Sequence, residues 1–130
     1  MTTTLRQILV VDDAADCVET LDVALGPGVG MQVSSAGTAE QALDILNSKT
    51  VAGVITDIQL PFMSGLELIA WIREQPRFRR LPILVISADP DPASSQTALR
   101  LGADGFFAKP FSPAAVRRRL EELIHESSTA

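Results

Sequence analysis

Residues Val51 to Gly65 have the sequence VAGVITDIQLPFMSG, in which an aspartate follows a short run of small and apolar residues. The run Ala52–Ile55 has the length and composition of a buried β-strand, and Pro61 and Gly65 turn the chain soon after it. This pattern predicts that Asp57 lies at the carboxyl end of a strand. Ligands bind at such ends in open parallel sheets, so Asp57 is either a loop-capping residue or a reactive carboxylate.

Four other segments have the composition of strands, and a helix-like segment follows each of the five. The predicted strands are Ile8–Val11, Met31–Ser35, Leu81–Ile86 and Phe106–Ala108. Helix starts are indicated by a capping box at Thr38 with Gln41 and by N-caps at Ser64 and Ser112. The fourth helix, from about Ala93 to Leu101, has few apolar residues. The alternation predicts an α/β fold with five parallel strands in a doubly wound, flavodoxin-like sheet of order 2-1-3-4-5.

Composition narrows the class of protein. The chain has 130 residues, of which 46% are hydrophobic and 21% charged, so we expect a single domain over residues 1–130 with its core at about 6–125 and no output domain. The net charge of −5 argues against a direct nucleic-acid partner. No apolar run is long enough to span a membrane and no signal peptide is seen, so we expect a cytoplasmic protein without a membrane partner. The single cysteine, Cys17, is expected to be a small buried residue.

Polar residues follow four of the five predicted strands: Asp12 and Asp13, then Asp57, Ser87 and Lys109. Because the first and third strands are neighbours in the predicted order, three carboxylates are expected to converge there, and they need a neutralising cation. Mg²⁺ suits such a site because it binds few carboxylates and keeps several waters. Together with an ammonium and a hydroxyl, these groups favour phosphoryl transfer, with Asp57 as the nucleophile.

Four motifs, in order along the chain, resemble those of the receiver domain of bacterial two-component response regulators. They are ILVVDD (Ile8–Asp13), ITDIQLPFMSG (Ile55–Gly65), ISA (Ile86–Ala88) and FFAKPF (Phe106–Phe111). The resemblance covers essentially the whole chain. It implies a single-domain, chemotaxis-regulator-like phosphoprotein that acts in signal transduction or in a phosphorelay.

The resemblance also implies roles for the strand-end residues. Asp57 matches the residue that takes phosphate from the phosphohistidine of a sensor histidine kinase or a histidine phosphotransfer protein. Asp12 and Asp13 match the acidic pair that holds Mg²⁺, with Asp57 and the backbone carbonyl of Gln59 completing the protein ligands. Lys109 matches the lysine that pairs with the phosphate. The only catalysis implied is the phosphorylation and dephosphorylation of Asp57 itself.

The resemblance further implies a switch. Ser87 matches the hydroxyl residue that moves onto the phosphate, and Phe106 matches the aromatic residue that turns inward. Together they change the face formed by the fourth helix, fifth strand and fifth helix, which binds a downstream protein or passes the phosphate on. Pro110 matches a cis-bonded proline. Gln59 and Asp89 lie where the family tunes loss of the phosphate, so we predict self-dephosphorylation.

Two other functions compete with this interpretation. One is a receiver-like scaffold that is never phosphorylated, and the intact set of strand-end residues argues against it. The other is a metal-dependent phosphatase with an aspartyl nucleophile, which generally needs a second acid two residues after the nucleophile, where this chain has Gln59. Elsewhere, His125 is expected to be a solvated histidine, and Arg117–Arg119 either a salt-bridged surface or part of a docking face.

Overall fold

The computed structural model describes residues 5–88 and 91–129, the last two of them by backbone alone. Strands and helices alternate throughout these residues. The strands are β1 (Arg6–Val11), β2 (Met31–Ala36), β3 (Gly53–Asp57), β4 (Ile83–Ser87) and β5 (Gly105–Ala108). The helices are α1 (Ala15–Ala24), α2 (Ala39–Ser48), α3 (Gly65–Glu74), α4 (Pro92–Leu101) and α5 (Pro113–Thr129). Two short 3-10 turns, Pro27–Val29 and Pro76–Phe78, precede β2 and β4.

The strands form one parallel sheet in the order β2-β1-β3-β4-β5, which confirms the predicted fold class. Its register aligns the carboxyl ends of the strands. Val11 of β1 lies opposite Thr56 of β3, so the residues that follow them, Asp12 and Asp57, are level. Asp57 lies opposite Ile86 of β4, and Ser87 lies opposite Ala108 of β5. The register therefore brings the ends of four strands to one edge of the sheet.

The core forms two layers because the inner strands are apolar on both faces. Alternate side chains of β1, β3 and β4 pack on one face under α2, α3 and α4: Leu9, Val11, Val54, Ile83 and Val85. The other set packs under α1 and α5: Ile8, Val10, Ile55, Leu84 and Ile86. All ten are fully buried, so the packed sheet holds the residues at the ends of its strands in fixed positions.

Capping residues begin the helices where the sequence predicts. The Thr38, Ser64 and Ser112 hydroxyls accept hydrogen bonds from backbone N–H groups three residues on, at 3.1–3.2 Å. The Asp91 carboxylate caps α4 by accepting from the Ala93 N–H. β4 starts at Ile83 instead of Leu81, since Pro82 has no N–H to donate to a neighbouring strand. In the described part of the chain, no helix is long and apolar enough to cross a membrane.

Candidate functional site

The Lys109 ammonium lies between two buried carboxylates at the carboxyl end of the sheet. Its Nζ atom donates to Oδ2 of Asp12 at 2.8 Å and to Oδ2 of Asp57 at 2.9 Å. Asp12 and Asp57 are only 3% and 7% exposed. A buried carboxylate without a partner is costly, so the lysine is what lets two of them lie side by side.

The loops after β1 and β3 hold the two carboxylates in the same way. Oδ1 of Asp12 accepts the N–H of Ala14 at 2.9 Å, and Oδ1 of Asp57 accepts the N–H of Gln59 at 3.1 Å. This aspartate turn is a common way for a short polar side chain to fix its own loop. One oxygen of each carboxylate is therefore bound by its loop, while the other faces Lys109.

The chain after β5 holds Lys109 in place. Its backbone N–H donates to the carbonyl of Ser87 at 2.9 Å, which joins the ends of β4 and β5. The Lys109–Pro110 peptide bond is cis, as the family resemblance implies. Ser87 is fully buried at the same edge.

The charges at this edge favour a permanently protonated lysine. Burial alone would lower the pKa of Lys109, but the hydrogen bonds and negative charges of Asp12 and Asp57 outweigh it, and the pKa is raised above its ordinary value. Two carboxylates and one ammonium leave a net charge of −1 on these three groups. The site is thus prepared to receive further positive charge.

The donor set fits Mg²⁺. This ion takes one or two protein carboxylates and keeps several waters, and Asp12 and Asp57 supply two carboxylates in one place. Asp13, the third carboxylate expected there, is exposed in the loop after β1. Across residues 5–88 and 91–129, no three His, Cys, Asp or Glu side chains are grouped so that they could hold a metal.

The remaining predicted site residues surround this centre. Gln59 is exposed in the loop after β3, and its backbone N–H is bound to Asp57. Phe106 is half-buried on β5 and packs against the core layer under α4. Asp89 lies outside the described residues.

Three contacts at the site go beyond the sequence predictions. The fully buried Thr56 donates its hydroxyl to the carbonyl of Asp57 at 2.9 Å. A Cβ on Gly65 would overlap that same carbonyl oxygen, so only glycine lets α3 start so close to β3. Cys17 is buried as predicted, but it also contacts Asp12; burial first, then this neighbour, raises the pKa of its thiol to about 12. The glycine was recognised in the sequence as a turn residue, whereas nothing there indicated the other two contacts.

Phe62, in the loop that follows Asp57, is 93% exposed and has a φ of 69°. That region of backbone space is uncommon for any residue but glycine, and the sequence indicated only a turn near Pro61.

On α5, Arg117 pairs with Glu121 at 3.3 Å and Arg119 with Glu122 at 3.2 Å, so the predicted salt-bridged surface is confirmed.

A family model described as "Response regulator receiver domain" matches residues 8–121. The transcriptional regulatory protein GltR of Pseudomonas aeruginosa is 34% identical over 122 residues, which are 94% of this chain and 50% of GltR. A chemotaxis protein CheY homolog of Campylobacter jejuni is 29% identical over 94% of this chain and 95% of its own length. The chain thus spans about half the length of some curated relatives and nearly all of others.

Solved structures have the same fold. The chemotaxis response regulator CheY4 of Vibrio cholerae superposes with a TM-score of 0.82 at 27% identity, covering 92% of this chain and 99% of CheY4. A CheY-like receiver domain protein from Methanospirillum hungatei superposes with a TM-score of 0.87 at 25% identity, covering 96% and 98%.

Proposed function

The chain belongs to the receiver domains of two-component response regulators, and from this membership we propose that Asp57 accepts a phosphoryl group from a phosphohistidine. The donor is a sensor histidine kinase or a histidine phosphotransfer protein. The observation that carries the proposal is the Lys109 ammonium between the buried carboxylates of Asp12 and Asp57. A structural ion pair needs one acid, whereas this lysine has two.

In the proposed reaction an Asp57 carboxylate oxygen attacks the phosphorus of the donor. The new P–O bond forms as the P–N bond breaks, and the bonding electron pair stays on the imidazole nitrogen. The product is an acyl phosphate on Asp57 and a histidine that is neutral once its ring has taken up a proton from solvent. Lys109, 2.9 Å from Asp57 before transfer, then lies close enough to pair with an oxygen of the transferred group. Such fixed charge is most of what phosphoryl transfer needs from a protein.

Asp12 and Asp57 would hold Mg²⁺, with Asp13 and the backbone carbonyl of Gln59 as further ligands. When bound, the ion would neutralise the charge on the phosphoryl oxygens during transfer. The Asp12 carboxylate lies 2.8 Å from Lys109, so a second acidic group stands beside Asp57 where a cation would bind. Asp13, exposed at the rim, would reach the ion only through water.

The signal is proposed to leave through the α4–β5–α5 face. After transfer, the Ser87 hydroxyl would bind a phosphate oxygen and Phe106 would move inward behind it, so that a downstream protein meets a changed surface. Gln59 and Asp89 would set how fast water removes the phosphate. We also propose that the chain is a single domain located in the cytoplasm and that it contacts neither nucleic acid nor a membrane. We propose that it catalyses no other reaction.

The test is phosphorylation of the purified chain by acetyl phosphate and Mg²⁺, followed by intact mass. We expect a gain of one phosphoryl group that is lost in Asp57→Asn and lost when a chelator removes the Mg²⁺. The matched control is Asp91→Asn, which removes a carboxylate from the N-cap of α4 and leaves the site intact. Absence of any gain, with the fold intact by circular dichroism and a phosphohistidine donor also failing, would favour the unphosphorylated scaffold.

A further inference from the structure

A second concave region lies at the end of the sheet opposite Asp57. A cleft of about 620 Å³ opens where the amino ends of β1, β3 and β4 meet the carboxyl end of α2. Four cationic residues line it: Arg6, Lys49, Arg77 and Arg80. None of the described residues lining it is an aspartate or glutamate, although the chain has 16 acidic residues and 11 basic ones. We call this region the amino-end cleft; it concentrates positive charge in an acidic protein.

The cations of the amino-end cleft have no carboxylate partner among the described residues. The ion pairs among the described residues are made by other cations: Arg73, Lys109, Arg117 and Arg119. Glu121 lines a neighbouring cleft with Arg6, but Glu121 is bound to Arg117. Glu126 and Arg80 both line a further cleft, but Glu126 does not line the amino-end cleft. Like charges held together by the fold repel one another, and a bound anion relieves that repulsion.

Arg77 is held in position before any ligand arrives. Its Nη2 donates to Oδ1 of Asn47, and its Cζ lies 4.5 Å from the centroid of the Phe78 ring. A guanidinium fixed by stacking and one hydrogen bond keeps other N–H groups for a ligand and loses little side-chain entropy on binding. The Phe78 ring also packs at a tilt against Trp71, with centroids 6.4 Å apart. Because both neighbours cover this ring, recognition in the cleft rests on charge and not on stacking.

The floor of the cleft is apolar, which strengthens the field of the cations. Leu46, Leu81 and Ile124 line it and are at most 8% exposed. A low-dielectric wall on one side reduces screening, so an anion there feels the charges more strongly than at a flat surface. Ser48 and Thr50 add hydroxyl groups at the rim. The volume falls within the range of pockets that bind small molecules.

We propose that the amino-end cleft binds a small molecule that carries two or more phosphate groups. Arg77 and Arg80 would contact the phosphate oxygens with paired N–H groups, and Arg6 and Lys49 would add charge. One phosphate group cannot balance four cations that enter from β1, the end of α2 and the segment before β4. The proposal does not depend on phosphorylation of Asp57, which lies at the other end of the sheet.

Inorganic tripolyphosphate is the probe, titrated into the full chain without Mg²⁺ and followed by ¹H–¹⁵N NMR. We expect saturable shifts at residues 46–52 and 77–82, and an affinity that falls as salt is added. Arg80→Gln should weaken binding at least tenfold, since it removes a charged donor. The matched control is Arg79→Gln, which removes the same charge from the same segment at an exposed residue outside the cleft. It should change the affinity less than twofold.

Three results would overturn the proposal: no saturable shifts at millimolar tripolyphosphate, equal weakening by Arg79→Gln and Arg80→Gln, or shifts centred on Lys109. Arg6→Gln is a second test variant, because the fold does not rely on any described ion pair of Arg6, and thermal melting checks each variant. Titration of ATP in a separate arm identifies the source of the phosphates. Equal affinity for ATP and tripolyphosphate supports a site for phosphate groups alone, and tighter binding of ATP supports a nucleotide.

Discussion

At the carboxyl end of the sheet one lysine lies between two buried carboxylates, whereas at the amino end four cations line an open cleft without an acid. The first arrangement is closed: each carboxylate oxygen of Asp12 and Asp57 has a partner within 3.1 Å. The second is open, since its cations face solvent. Removing a charge should therefore harm the carboxyl end and leave the amino end unharmed, because only the closed arrangement loses a partner when one member goes.

Gly65→Ala should have the largest effect on stability. A Cβ at this position overlaps the backbone carbonyl of Asp57, which cannot move without disturbing β3. We expect a loss of about 3 kcal/mol in the free energy of unfolding, measured with urea. Gly28→Ala is the control near the amino end, because nothing lies within 4 Å of its added Cβ, and its change should stay within about 0.5 kcal/mol. Equal effects would mean that α3 is not packed tightly on β3.

Lys109→Met should have the second-largest effect on stability. It keeps the length of the side chain but leaves Asp12 and Asp57 together without a cation. Because the Lys109 side chain is 21% exposed, water will offset part of the cost, and we expect a loss of about 2 kcal/mol. Mg²⁺ should recover part of this loss in the variant. A variant as stable as the wild type without Mg²⁺ would show that the lysine is not what holds the two acids.

The loss of stability at alkaline pH should also come from residues at the carboxyl end of the sheet. Burial and Asp12 raise the pKa of the Cys17 thiol from 9.0 to about 12. The unfolded chain therefore loses this proton first, and the associated stability, complete below pH 9, is lost as the pH rises towards 12. Lys109, with its raised pKa, adds a loss of the same sign from about pH 10.5 upward.

Between pH 9 and pH 10 the wild type should lose about 1 kcal/mol, while Cys17→Ala stays level. The measurement is urea unfolding at both pH values, and the slope of each variant matters more than its absolute stability. Arg80→Gln should keep the wild-type slope, because it leaves Cys17 and Asp12 unchanged. A Cys17→Ala variant with an unchanged slope would contradict the assignment of the thiol.

Arg80→Gln should have the smallest effect, and of opposite sign. Removing one of four like charges reduces repulsion, so the free energy of unfolding should rise by up to about 0.5 kcal/mol at low salt. The gain should disappear at high salt, where the repulsion is already screened. A loss of stability would mean that Arg80 makes a favourable contact within the fold.

The sequence was sufficient to predict the sheet order and the site at its carboxyl end. Apolar runs with a strand's length set the elements, and polar residues directly after those runs had to meet at one edge of a parallel sheet. That is why Asp12, Asp57 and Lys109 were predicted together. Asp13 was predicted with them, and the structure shows it exposed in the loop after β1.

The amino-end cleft was not predicted for a related reason. The sequence places Arg77 and Arg80 in the segment before the fourth strand, but no pattern in it says which loops become neighbours in space. The cleft depends on the packing of α2 and α5 around the ends of three strands. The contact between Cys17 and Asp12 likewise depends on how α1 lies against β1, and no local signal encodes that.

Chemical trapping of the phosphorylated residue is the most direct test of the central claim. Borohydride reduces an acyl phosphate to an alcohol, so an aspartate that carried phosphate becomes homoserine and is located by peptide mass. After treatment with acetyl phosphate and Mg²⁺, homoserine should appear at position 57 alone, and Lys109→Met should lower its yield at least tenfold. Homoserine at Asp12 or Asp13, or none in a folded chain, would contradict Asp57 as the phospho-acceptor.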